Sequence, residues 1–185
     1  MKYYNIIGGV NGVGKSSLAG VLYSRIDDMG EIIDPDDIAR KQNCGNIEAG
    51  RIAKLLINEY IDDGISFTQE TTLSSVSILK TIRLAKENNY RIRLFYVGVG
   101  SMEESLLRIE NRVRKGGHNI PVHDVERRYS KRFDDVKKVL KYCNEAYFYD
   151  NENGFVEVGD YRHGKFYVDE LYLPDWYVEL IEHCR

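Results

Sequence analysis

Three features of this sequence predict an α/β fold, a mostly parallel sheet of five strands flanked by helices. Short runs of β-formers alternate with longer stretches of helical periodicity as far as residue 150. The first apolar run opens directly into Gly9-Val10-Asn11-Gly12-Val13-Gly14-Lys15-Ser16-Ser17, a glycine-rich turn between a strand and a helix. Acids and hydroxyls then stand at the ends of the next strands, and open parallel sheets gather ligands beyond those carboxyl ends.

The five strands fall near residues 2–7, 31–33, 65–69, 90–97 and 145–149. After the glycine-rich turn, Leu18, Ala19, Leu22 and Tyr23 recur at helical spacing, so a helix is expected from Ser16 to about Met29, closed by Gly30. Glu31-Ile32-Ile33 is a very short strand that runs into Asp34-Pro35-Asp36-Asp37 and a helical stretch from Ile38. Asn46 to Tyr60 reads as a mostly buried helix stopped by Asp62-Asp63-Gly64. The third strand leads into Glu70-Thr71-Thr72, and Val76, Leu79, Ile82 and Leu84 place a helix over Leu73 to Asn88. Tyr90 to Val97 is rich in strong β-formers.

From Ser101 the pattern changes. Glu103 to Arg114 is an arginine-rich helix, Lys115 to Pro121 a loop with two glycines, and Val122 to Tyr142 a second charged helix. Two basic helices on a glycine hinge are suited to closing over an anion, so residues 101–142 are expected to form a helical lid. Ala146 to Tyr149 completes the sheet. Residues 155–158 and 165–168 are β-like, and a helix over 175–183 follows Pro174 with Trp176 and Leu180 as its docking face. Together residues 155–185 make a small C-terminal β/α appendage, and residues 1–185 form one domain with the lid inserted in it.

A chain of 185 residues can bury one sizeable core. With 26 Lys plus Arg against 29 Asp plus Glu, its net charge of −3 leaves no global basic footprint, which argues against nucleic acid as a partner. Cys44, Cys143 and Cys184 are odd in number and not spaced as metal ligands, consistent with reduced thiols in the cytoplasm. Neither an export signal nor an apolar run long enough to span a membrane is apparent.

The glycine-rich turn has the spacing of the phosphate-binding loop of P-loop NTPases, the fold expected here. Gly9, Asn11, Gly12, Val13, Gly14, Lys15, Ser16 and Ser17 would cradle a nucleotide triphosphate. Backbone N–H groups and the helix N-terminus face the anion, Lys15 reaches its β/γ oxygens and Ser16 offers a hydroxyl to Mg2+. Asp36 is placed to take the proton of an acceptor hydroxyl, while Asp34 either supports Mg2+ through water or caps the helix. Glu70 and Thr72 can bind acceptor hydroxyls, and Thr71 or Thr72 can equally serve as a helix cap. In the lid, Arg108 and Arg112 are four apart and share a helical face, and one or both could bridge phosphates; on the following helix Arg128 and Arg132 are again four apart. His118, beside Gly116-Gly117, is a further candidate substrate contact. A small-molecule kinase leads this reading. An NTPase switch or nucleotide sensor, and a binding module for RNA or a nucleotide-linked partner, are the competing classes.

Taken in order, Gly9 to Ser17, Asp34 to Ala39, Phe67 to Ser74, Arg108 to Arg112, Gly116 to Pro121 and Arg127-Arg128-Tyr129 resemble the zeta toxin family, and more closely its short stand-alone branch. The resemblance runs through Asp150-Asn151. It implies an ATP- and Mg2+-dependent kinase, whose toxin members phosphorylate the 3'-hydroxyl of the amino sugar in UDP-N-acetylglucosamine and are blocked by an antitoxin. On that resemblance Asp36 matches the catalytic base, Lys15 and Ser16 the ATP and Mg2+ loop, and Glu70 with Thr72 the acceptor-site acid and hydroxyl. Arg112, or alternatively Arg108, matches a phosphate-clamping lid arginine, with Arg128 the candidate for the second. Ser74 stands where the toxins carry an acceptor-binding arginine.

Overall fold

The computed structural model describes every residue except His118. In chain order its parallel strands are β1 (Tyr3–Gly8), β2 (Glu31–Ile33), β3 (Phe67–Thr71), β4 (Arg91–Gly98) and β5 (Glu145–Asp150). β6 (Val156–Arg162) and β7 (Lys165–Val168) are antiparallel additions. The sheet has the order β2-β3-β1-β4-β5-β6-β7. The helices are α1 (Lys15–Tyr23), α2 (Pro35–Gln42), α3 (Asn46–Asp63), α4 (Val76–Glu87), α5 (Met102–Arg114), α6 (Val122–Ser130), α7 (Arg132–Leu140) and α8 (Asp175–Cys184).

Crossover helices cover both faces of the parallel part, which is why β1 is almost wholly apolar. Tyr4, Ile6 and Phe67 face one core, closed by α3, α4, α7 and α8; Ile7, Val13, Leu18 and Val97 face the other, closed by α1. The one polar residue inside β1, Asn5, is fully satisfied. Its Nδ2 donates to the carbonyls of Asp28 at 2.9 Å and Met29 at 3.2 Å, and its Oδ1 accepts from Arg93 Nε at 2.9 Å.

The five parallel strands lie where the sequence places them, and the sheet gains two more because the C-terminal hairpin pairs along the free edge of β5. The expected helix 16–29 stops at Tyr23, and Asp27–Met29 forms a separate 3-10 turn that buries Met29. α2 starts at Pro35, earlier than expected, because Asp34 caps it by accepting from the Asp36 N–H at 3.0 Å and Pro35 suits the first helical position. The expected helix 122–142 is broken at Lys131 (φ −99°, ψ 1°) into α6 and α7. This break lets α6 turn toward the glycine-rich loop while Val136, Val139 and Leu140 of α7 stay in the core.

Candidate active site

The strand order decides what meets at the carboxyl ends of β2, β3 and β1. Ile33 lies beside Gln69, and Ile7 beside Glu70, so the turn after β2, the end of β3 and the loop after β1 open side by side. They line a cleft of about 900 Å3 together with residues of α3 and α4, Arg108 and Arg112 of α5 and Arg128 of α6.

The loop itself is shaped by glycine. Gly12 (φ +79°) and Gly14 (φ +95°) occupy left-handed backbone, and a Cβ would stand 2.6 Å from the Ser105 carbonyl oxygen and 2.6 Å from Asn151 Nδ2 respectively. Gly14 is also the cap from which α1 starts, so the helix N-terminus opens into the cleft. Val13 is buried beneath the loop, as Val10 is, and holds it against the sheet.

Lys15 donates from Nζ to the Val10 carbonyl at 2.9 Å. Ser16 donates from Oγ to Glu70 Oε2 at 2.8 Å. Glu70 is buried, and desolvation followed by the nearby Asp34 charge pushes its carboxyl up to about 7, against the Ser16 hydrogen bond and Lys15. Burial likewise draws the Lys15 ammonium down to about 8, although Glu70, Asp36 and Asp34 all favour its charged form. Asp34 is raised chiefly by desolvation, with the Asp36 charge adding to it. Glu70, Asp34 and Lys15 therefore share one poorly solvated corner, and the Asp36 charge acts on all three from its exposed side.

Asp36 projects from the first turn of α2, is solvent-exposed and lines the same cleft. Thr72 also lines it, its hydroxyl 2.9 Å from that of Ser74. The turn that presents Thr72 is held by Leu73, which is buried at φ +63° under Gly8. Of the arginines on α5 and α6, Arg128 donates to Asn11 Oδ1 at 2.7 Å, and its buried Nε has no hydrogen-bond partner among the described residues. Arg108 donates to Glu104 and to the Asn151 carbonyl. Arg112 lines the cleft with them, and its charge is one of those that act on Lys15. Arg114 turns outward to Glu110 at 2.7 Å. Arg132 stacks instead on Tyr129 and Phe133, away from the cleft lining. His118, expected at the substrate, lies outside the described residues.

The Zeta toxin family model matches residues 2–154. This chain belongs to the Zeta toxin family. It is 40% identical over 126 residues to an uncharacterized protein of Haemophilus influenzae, covering 65% of this chain and 88% of that one. Among solved structures it is similar to the PezAT toxin-antitoxin system of Streptococcus pneumoniae, with TM-score 0.62, 17% identity, and 98% of this chain against 84% of that one. It is also similar to the AvrRxo1-ORF1:ORF2 complex solved with ATP, with TM-score 0.70, 17% identity and 98% of this chain covered. The chain spans 64% of that protein's chain.

Within this zeta toxin fold the sequence reading missed Asn151. It stands at the end of β5, donates from Nδ2 to the Val13 carbonyl at 2.8 Å and so braces the phosphate loop from behind. Its position at a strand's carboxyl end was the available signal. Also unforeseen was Ser105, whose hydroxyl donates to the Asn11 carbonyl and pins the first half of α5 to the loop. α3 and α4 bring three more cations to the cleft, Arg51, Lys54 and Lys80, which no local motif marks.

Proposed function

We propose that this chain is an ATP-dependent phosphotransferase that moves the γ-phosphate to a hydroxyl of a small molecule, with a UDP-N-acetylglucosamine-like sugar nucleotide as the acceptor. The observation that carries the reading is the shared cleft: the glycine-rich loop, Asp36, Glu70 and the lid arginines all line it. Residues 1–185 act in this reading as one unit with residues 101–142 as its lid.

Lys15 and the N–H groups of the loop hold the β- and γ-phosphates. Asp36 accepts the acceptor's hydroxyl proton as the new O–P bond forms and the β–γ bridging P–O bond breaks, with the electron pair leaving on ADP. Arg112, with Arg108 or Arg128, offsets charge on the transferring group. Glu70 and Thr72 orient the acceptor. The site also fits Mg2+: a hydroxyl and a buried carboxylate, Ser16 and Glu70, already share a hydrogen bond at 2.8 Å. A nucleotide-bound Mg2+ needs few protein ligands, because water and phosphate complete its shell. Bound there, it would neutralise phosphate charge.

An acceptor with its own phosphates is supported by Arg51, Lys54 and Lys80, which line the same cleft as the glycine-rich loop, whereas Ser74 does not line it and could not replace a charged acceptor contact. The toxin-antitoxin system to which PezAT belongs extends the proposal to a protein partner that blocks the cleft, and the unpaired Cys44, Cys143 and Cys184 suit a reducing cytoplasm. Among the described residues no helix is long and apolar enough to cross a membrane.

The test is incubation with labelled ATP and Mg2+ against UDP-sugars, nucleosides and polyols, using wild type and Asp36→Asn. Transfer to a UDP-sugar that drops by about 100-fold or more in the variant, with ATP binding kept, is expected. Undiminished transfer in Asp36→Asn would refute the base. Steady hydrolysis with no acceptor used would instead favour a nucleotide switch.

A further inference from the structure

Residues 155–185 lie beyond the family match, which ends at 154. They nevertheless reach the phosphate loop through a short chain of hydrogen bonds. At the end of β5, Asp150 is only 2% exposed. Its Oδ1 accepts from Trp176 Nε1 at 2.8 Å and its Oδ2 from the Tyr172 hydroxyl at 3.1 Å. Within its own turn it accepts from the Glu152 N–H at 3.0 Å. A buried carboxylate must be satisfied in this way, so the orientation of the turn depends on those donors.

The adjoining residue carries the connection onward. Asn151 donates from its N–H to the Gly98 carbonyl at 3.2 Å and from Nδ2 to the Val13 carbonyl at 2.8 Å. Its own carbonyl accepts from Arg108. One peptide unit thus separates the C-terminal anchor from both the phosphate loop and the lid. α8 is seated firmly enough to act as an anchor, since Trp176, Tyr177 and Leu180 are all buried in the main core.

We propose that Trp176 and Tyr172 are positioning residues for nucleotide binding. Through Asp150 they fix Asn151, and Asn151 holds the phosphate loop at Val13 and the lid helix at Arg108. The C-terminal segment is in this account a part of the nucleotide site, although none of it lines the cleft. The proposal rests on the nucleotide reading given above. A segment that merely closed the core would affect melting alone and leave loop affinity untouched.

The chain has one tryptophan, so its emission reports directly on the anchor. The full chain and its Asn151→Ala, Tyr172→Phe and Trp176→Phe variants are titrated with ATP and Mg2+ by calorimetry, with emission followed where Trp176 is present and melting recorded for each. Tyr172→Phe removes a single hydroxyl from a side chain 38% exposed, so the fold is kept. Expected are a change in Trp176 emission on saturation of wild type, its loss in Asn151→Ala, and an ATP Kd raised about tenfold in Tyr172→Phe and Trp176→Phe. ATP binding by wild type with unchanged emission, or a Kd within about twofold of wild type in both phenylalanine variants, would overturn the proposal. No calorimetric ATP binding by wild type would sink the nucleotide reading itself, and this inference with it.

Discussion

Replacing Glu70 by glutamine should stabilise the protein while disabling it. Glutamine keeps a carbonyl oxygen to accept the Ser16 hydrogen bond, formed here at 2.8 Å, and removes only the charge. That charge is costly in the folded state, because burial and the Asp34 charge raise the carboxyl from 4.5 to about 7. For an acid raised on folding, the protonated form is the favoured one, so its stabilising contribution is complete below the unfolded pKa and is lost as pH rises through the folded value. The melting temperature of wild type should therefore fall relative to Glu70→Gln between about pH 5 and pH 7.5. The full shift, from 4.5 to about 7, corresponds to roughly 3 kcal/mol, of which about 2 kcal/mol falls inside that window. In a chain of this size the gap between the two proteins should then open by about 4–8 °C. Lys15 has the opposite sign, being lowered to about 8 by burial, so its contribution is lost as pH falls through that value, and the scan is best ended before it. Differential scanning calorimetry without nucleotide measures the gap, and a transfer assay in parallel should show a loss of about 100-fold or more. A gap that stays constant with pH, or a variant less stable than wild type at the alkaline end, would refute the electrostatic account of this corner.

Two further outcomes follow from the packing and the charge of the cleft. Gly98→Ala would drive a methyl group into the Trp176 indole, so its urea midpoint should drop by the equivalent of about 1–3 kcal/mol; an unchanged midpoint would mean that α8 is not seated there. Lys80→Glu reverses an exposed charge on α4, and should raise the KM of a phosphorylated acceptor about tenfold in steady-state kinetics while leaving the KM for ATP unaltered. Equal KM values for that acceptor would remove the support those cations give to a sugar nucleotide.

What could be read from the sequence was whatever is written in consecutive residues. The glycine-rich loop, the Asp34-Pro35-Asp36 turn and Glu70-Thr71-Thr72 are local motifs at strand ends, and strand order alone then brings them into one cleft. Arg108 and Arg112 were legible for the same reason, since a spacing of four residues fixes a helical face. The strands were legible too, down to the β-like runs that became β6 and β7. Their pairing was not, because a run of alternating residues carries no mark of which edge it will complete.

The residues that were missed share a different property: their role exists only through contacts between distant parts of the chain. Asn151 and Val13 are 138 residues apart in sequence, and Ser105 and Asn11 are 94 apart. No periodicity could relate them, and an asparagine after a strand looks the same whether it caps a turn or braces a loop. The break at Lys131 belongs with these, because helical propensity continues across it and only the separate destinations of α6 and α7 require it. A phosphate loop is specified locally by its glycines, but glycine confers freedom as well as shape. The freedom has to be removed by something outside the motif, and here Asn151, Ser105 and Arg128 each take hold of one of the backbone or side-chain groups that the glycines leave accessible.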